Sequence, residues 1–300
     1  MKRLDLQFKE FDLEKYKKAT AFISDVTTII KEDTIIYVND EPVVLYASLK
    51  DVNTSAVRWA VKNQKYPKSK RTRGLQQQAN VFGYYPRNPI TADYCRLSEM
   101  AKKYPKQHYV LTNFIKEIEQ FYKTYFPETY EKHANLVKEK VLEDYQIENT
   151  PFTSGIVNKN NRLNYHFDAG NFKGVLSNMI VFKKGVSGGH LCIPSLDIAL
   201  EVADNTLTIF NGQDILHGVS EIHYDDPEGY RYSVVYYSLE QLWKCEEIDE
   251  ELIRIRNIKT EREKKMLDVE HLEELKRRGM ELEKLSKKEI NKFKESRVNE

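Results

Sequence analysis

A chain of 300 residues can build one sizeable core with accessory elements, or two modest domains. Forty per cent hydrophobic residues exclude a wholly disordered chain, and 31% charged residues predict a well-solvated exterior. The formal net charge of +1 gives no global pull toward nucleic acid or membrane, so any polyanion site must come from local clustering.

The opening MKRLDLQFKEFDLEKYKK is charged throughout, and no run of roughly 18 apolar residues follows anywhere. Cys95, Cys192 and Cys245 are odd in number, far apart and without C-x-x-C spacing, which argues against a disulfide framework or a thiolate zinc site. The expectation is a soluble, intracellular protein in a reducing compartment, with no membrane partner.

In chain order, DTIIYVNDEPVVLYASL (Asp33 to Leu49) sets β-branched and aromatic residues on either side of Asn39-Asp40 and reads as a hairpin. Lys62, Lys65, Lys68, Lys70, Arg71 and Arg73 form a basic stretch without an acid, broken by Pro67, which reads as a loop; GLQQQANVFGYYPRNP continues it irregularly to Pro89. Phe114, Ile115, Ile118, Phe121, Tyr122 and Tyr125 recur at helical spacing up to Pro127, and a second helical pattern runs from about Glu128 to Tyr145. Past Pro151 come the short β-rich runs LSNMIVF, HLCIP, TLTIF and RYSVVYYSL, punctuated by KKGVSGG and NGQD, the pattern of a small all-β barrel or jelly roll. After about Lys244 the chain is rich in Glu, Lys and Arg and reads as helix, interrupted at Gly279; Leu275 and Leu282 are too few for a coiled coil. The fold class is α+β. Residues 1–150 are expected to hold the hairpin, basic loop and supporting helices, 151–243 the catalytic β core, and 244–300 a charged helical extension that is a candidate self-association surface.

Chemistry concentrates in YHFDAG, NGQDILHGVSEI and GYRYSVVYYS. On an extended strand His166 and Asp168 project to one face and can share a cation. His217, 49 residues after Asp168, can return beside them in an antiparallel barrel. Two imidazoles and a carboxylate leave coordination positions open, the facial triad of non-haem Fe(II) oxygenases. A 2-oxo acid can chelate there while O2 takes a remaining position, and its distal carboxylate needs a fixed guanidinium. Arg231, 14 residues after His217, is placed for that role, with Ser233 on the same strand face. Each piece has a plainer explanation, a surface His/Asp pair or a surface salt bridge, and it is their order along the chain that favours the catalytic one. His190 could face the co-substrate pocket but reads more simply as a packed or surface histidine; His108, His133, His223 and His271 read as bystanders, and Cys192 as a small buried hydrophobe.

From about Gly74 to Leu239, and most clearly from SGIVNKNNRLNYHFDAGN to NGQDILHGVSEI, the chain resembles the TET/JBP family of 2-oxoglutarate, Fe(II) dioxygenases, closer to the JBP-like branch. The resemblance implies a double-stranded β-helix (jelly roll, cupin-like) core with the N-terminal helices packed on it. It also implies Fe(II), 2-oxoglutarate and O2, and oxidation of the 5-methyl group of thymine or 5-methylcytosine in DNA. His166, Asp168, His217, Arg231 and Ser233 map onto the family's metal and co-substrate residues. Asn171 matches an asparagine that contacts the flipped base, or is simply a turn residue, and Arg87 in FGYYPRNP resembles an arginine that reaches co-substrate or DNA. Lys68, Lys70, Arg71 and Arg73 are then candidate phosphate contacts. The N-terminal hairpin and the charged C-terminal helix depart from the pattern and do not map onto the family core by sequence. Competing expectations are a 2-oxoglutarate oxygenase acting on RNA, a free nucleotide, a peptide or a small molecule, and a non-catalytic cupin-like module with a structural metal.

Overall fold

The computed structural model describes residues 1–70, 76–87, 94–268 and 273. Arg71, Arg73, His271, Leu275, Gly279 and Leu282 lie outside the described residues. The chain divides into two units, one formed by Met1–Pro86 with Arg96–Lys244, the other by Arg87–Cys95 with Cys245–Glu300.

The first unit begins with β1 (Lys2–Leu6), the one-turn helix α1 (Leu13–Tyr16) and β2 (Thr28–Ile30). The predicted hairpin forms as β3 (Thr34–Val38) and β4 (Glu41–Ser48). Asn39 and Asp40 both take positive φ, 52° and 62°, as a tight hairpin turn requires and short polar side chains tolerate. Next come α2 (Ser55–Lys62), β5 (Lys68–Lys70) and β6 (Gln76–Tyr85).

The expected basic loop and irregular segment are therefore corrected. Lys62 closes a helix, and Lys68–Lys70 pairs antiparallel with Gln76–Gln78 as an edge strand. The ladder comes from the neighbouring strand rather than from local composition, and lysine is a residue that sheet edges favour.

β7 (Arg96–Leu97) and α3 (Glu99–Lys103) lead into α4 (Pro105–Tyr125) and α5 (Pro127–Lys140), each of the last two starting on a proline whose missing N–H has no helical partner to lose. The second predicted helix ends at Lys140, short of Tyr145, which sits in a separate 3-10 turn.

The β-rich half contains β8 (Ser154–Lys159), β9 (Ser177–Lys184), β10 (Val186–Gly188), β11 (Leu191–Ile193), β12 (Ile198–Leu200), β13 (Thr206–Phe210), β14 (Gly218–Val219), β15 (Ile222–Tyr224) and β16 (Tyr230–Tyr237). It winds between two sheets as a double-stranded β-helix. β8, β9, β13 and β16 join the main sheet in the order β1-β3-β4-β13-β9-β16-β8-β6-β5, while β11, β12 and β14 form a small sheet that recruits β2 at its edge.

Strand alternation gives the main sheet two buried faces. Ile180, Phe182, Leu207, Ile209, Val234 and Tyr236 point outward onto Leu111, Phe114, Ile115, Ile118 and Tyr122 of α4. Met179, Val181 and Phe210 point inward, with Val44 and Tyr46, onto Leu191, Ile193, Ile198 and Leu200 of the small sheet. The second core is the barrel interior, and the site opens from it.

The described part of the second unit holds α6 (Ile248–Leu267) and a disulfide between Cys95 and Cys245, whose Cα atoms are 5.8 Å apart. This corrects the expectation that the cysteines are unpaired: partners 150 residues apart leave no spacing signal. Among the described residues no helix is long and apolar enough to cross a membrane.

Candidate active site

His166 and His217 face each other across an isolated antiparallel bridge rather than within a regular strand, with His166 N–H donating to the His217 carbonyl at 2.9 Å and the reverse bond at 3.1 Å. The expectation that His166 and Asp168 share an extended strand is corrected to this extent: one bridge, followed by the Asp168 amide on the Gly212 carbonyl at 2.8 Å, fixes the backbone.

In each ring Nδ1 lies against a main-chain carbonyl two residues back, that of Asn164 at 2.8 Å for His166 and that of Ile215 at 2.9 Å for His217. A protonated Nδ1 donates to that carbonyl and turns a lone-paired Nε2 toward the centre, the tautomer a metal ligand needs. The two Nε2 atoms stand 3.7 and 3.8 Å from Asp168 Oδ1, and one ligand atom from each of the three residues lies within 4.8 Å of the others. Phe210 packs edge-on against the His217 ring at 4.9 Å. A Cβ on Gly212 would fall 2.2 Å from Asp168 Oδ2, so only glycine lets the carboxylate sit there.

These residues line a cavity of about 450 Å³ with Asn171, Arg231, Ser233 and Tyr237. Along β16, Arg231, Ser233, Val235 and Tyr237 face it in strict alternation with the outward Tyr232, Val234 and Tyr236. Arg231 is 2% exposed, and its Nε and Nη2 are buried without a hydrogen-bond partner. Burial pushes its guanidinium down to about 10. A buried cation lacking an acceptor is costly unless an anionic ligand supplies one. Ser233 accepts from Asn158 Nδ2 at 3.4 Å, and Asn171 Nδ2 donates to Ser177 Oγ at 3.3 Å.

Of the other predicted residues, Arg87 belongs to the second unit, where it is gripped by Glu251 and Glu246. In this structure the Arg87 guanidinium is engaged by these two carboxylates. Lys68 and Lys70 lie on edge strand β5. His108 accepts the Gly83 N–H at 3.1 Å, His133 is buried beside Ser238, and His223 is exposed on β15. Sequence reading missed Gly212, whose only signal was the NGQD turn, and Tyr237, visible as the fourth inward position of its strand.

The architecture is that of the double-stranded β-helix oxygenases, with a two-histidine, one-carboxylate donor set and an unpaired buried arginine lining one cavity. The family model for the TET and JBP proteins, described as the oxygenase domain of the 2OGFeDO superfamily, matches residues 81–240, more than half of the chain, and the chain belongs to that family. It is 30% identical over 162 residues to the bifunctional helicase and thymine dioxygenase JBP2 of Trypanosoma brucei brucei, covering 52% of this chain and 14% of that protein. The corresponding protein of Leishmania braziliensis is 27% identical over 166 residues, 55% of this chain and 15% of its own length. The chain thus spans about one-seventh of these relatives. Among solved structures, NgTET1 in complex with 5mC DNA superposes with a TM-score of 0.55 at 13% identity, over 77% of this chain and 90% of that one, a likeness of fold.

Proposed function

We infer that the chain is an Fe(II)- and 2-oxoglutarate-dependent dioxygenase that oxidises the 5-methyl group of thymine or 5-methylcytosine in DNA to the 5-hydroxymethyl form and beyond. The observation that carries this reading is the unpaired, fully enclosed Arg231 in the same cavity as the three donors. Candidate cation site and carboxylate site line one cavity of about 450 Å³, with room for a keto acid and more.

In this reading His166, Asp168 and His217 hold the iron. Iron held there would bring O2 and the keto acid together, O2 being the oxidant: loss of CO2 from the keto acid would supply two electrons and the methyl C–H bond the other two, one oxygen atom ending in succinate and one in the hydroxymethyl group. Arg231 takes the distal carboxylate in a two-pronged hydrogen bond with the Ser233 hydroxyl beside it, which fixes the keto acid's direction. Met179, Phe210 and Val235 give the cavity apolar walls that limit water. Asn171 lies in the same lining, with a side-chain amide suited to a base edge. A base within a duplex cannot reach such an enclosure, so the target nucleotide is flipped or single-stranded. Lys68, Lys70, Arg71 and Arg73 contact phosphates, giving binding that weakens with salt.

The direct test incubates iron-loaded protein with DNA containing thymine or 5-methylcytosine, with and without 2-oxoglutarate, and quantifies oxidised nucleosides by mass spectrometry. Products that require 2-oxoglutarate and vanish in His166→Ala, Asp168→Ala and His217→Ala variants support the reading. Succinate formed without any oxidised base shifts the substrate to another class, and no succinate at all leaves only a binding module.

A further inference from the structure

The register of β9 and β16 places Lys183 directly opposite Arg231. Alternation along β9 turns Lys183 to the side of Met179 and Val181, so two cations stand side by side on neighbouring strands, Arg231 buried and Lys183 half-buried. The Lys183 Nζ is 3.4 Å from the carbonyls of Gly188 and Glu201. The next residue, Gly189, packs so tightly on Arg231 that a Cβ there would lie 2.9 Å from Cδ.

Neither cation is ion-paired at contact distance, although the charges of Glu201 and Asp204 reach Lys183. Among the described residues no carboxylate lies within 4.0 Å of the Lys183 ammonium or the Arg231 guanidinium. The adjacent Asp204 is taken: it receives Arg58 at 3.0 Å through both oxygens and the Lys183 backbone N–H at 2.9 Å. Burial, then the charge of Arg231, lowers the Lys183 ammonium below its ordinary value, and burial and Lys183 do the same to His190. Arg231 is buried and Lys183 half-buried, so the two like charges repel, an effect that Glu201 and Asp204 offset in part and an incoming anion would offset further.

Resting on the co-substrate reading above, we propose that Lys183 is a positioning residue for the co-substrate: a second cation beside Arg231 that raises the positive potential around the guanidinium and selects keto acids with a terminal carboxylate. Lys183 does not line the cavity, so it acts through the field around Arg231 rather than by contact. A unit charge a few ångströms from the first changes carboxylate affinity by about tenfold at the effective dielectric of a protein site.

The test is anaerobic calorimetric titration of the full chain, loaded with Fe(II), with 2-oxoglutarate and with 2-oxopentanoate, whose far end is a methyl group. Lys183→Met is expected to weaken 2-oxoglutarate about tenfold, leave 2-oxopentanoate unchanged and flatten the salt dependence of 2-oxoglutarate binding, while Lys183→Arg retains wild-type values. The Lys183→Met melting temperature should hold or rise, because repulsion is removed. Equal weakening of both keto acids with a lowered melting temperature would mark a structural role and overturn the proposal, as would wild-type affinity and salt dependence. Failure of the wild-type chain to bind 2-oxoglutarate would overturn the co-substrate reading itself, and this inference with it.

Discussion

Gly212 and Asp168 are in contact so close that the glycine's missing side chain sets where the Asp168 carboxylate can sit: a methyl group would overlap Oδ2 and press on His217 Cε1 at 3.2 Å. Gly212→Ala should therefore swing the carboxylate away and weaken Fe(II) binding about 10- to 100-fold, as loss of a supporting contact around a metal does. Titration with Fe(II) under argon, read by calorimetry, checks this; unchanged affinity would show that the backbone yields instead.

Arg231→Met separates stability from function. Methionine fills the space without a buried, unpaired charge, so the ligand-free protein should gain about 1–3 kcal/mol. Turnover that depends on 2-oxoglutarate should fall away. A thermal melt beside a succinate assay reads both, and a lowered melting temperature would mean that the guanidinium is satisfied internally.

His133 sets an acid limit. It is fully buried, and burial lowers its imidazole from 6.5 to about 3. Between those values the unfolded chain binds a proton that the folded one refuses. Stability from this group is therefore complete above pH 6.5 and declines as pH falls toward 3, by at most about 1.4 kcal/mol per pH unit. Urea unfolding at pH 7 and pH 5 should show a smaller loss in His133→Phe than in the wild type.

Gly155 lies under the Phe82 ring, where a Cβ would sit 2.0 Å from Cζ. Overpacking at this point, between β8 and the helix layer, should cost about 3 kcal/mol in Gly155→Ala. The denaturation midpoint in urea measures it, and Phe82→Leu in the same chain should restore part of the loss.

The cysteine pairing gives a mass-spectrometric prediction. Alkylation of denatured, unreduced protein should modify Cys192 alone, and reduction should expose Cys95 and Cys245. In the folded state Cys192 should react slowly, since burial pushes its thiol up to about 12. Three modified cysteines without reductant would contradict the disulfide.

What could be read in advance depended on how local its cause was. The Asn39-Asp40 turn and the start of α5 at Pro127 are set by residues next to one another, and both were legible. So were the residues that meet in the cavity, because His166, Asp168, His217, Arg231 and Ser233 occur in the order in which barrel strands return. Partnerships across the chain left no local trace. The segment around Lys68 becomes a strand only because β6 offers an edge, β2 is held by β12, and Cys95 finds Cys245. The Arg87–Glu251 ion pair is of the same kind: nothing near Arg87 in sequence announces it.

Because β16 is buried on both faces, its residues work as a two-sided ruler, and its length tolerates only even changes. Deleting one residue between Arg231 and Tyr237 would send the guanidinium into the helix layer or bring an aliphatic side chain into the cavity, while leaving composition almost untouched. Insertions that drift into this protein should accumulate in the turn before Tyr230, where parity does not matter, and be absent from the eight residues that follow it.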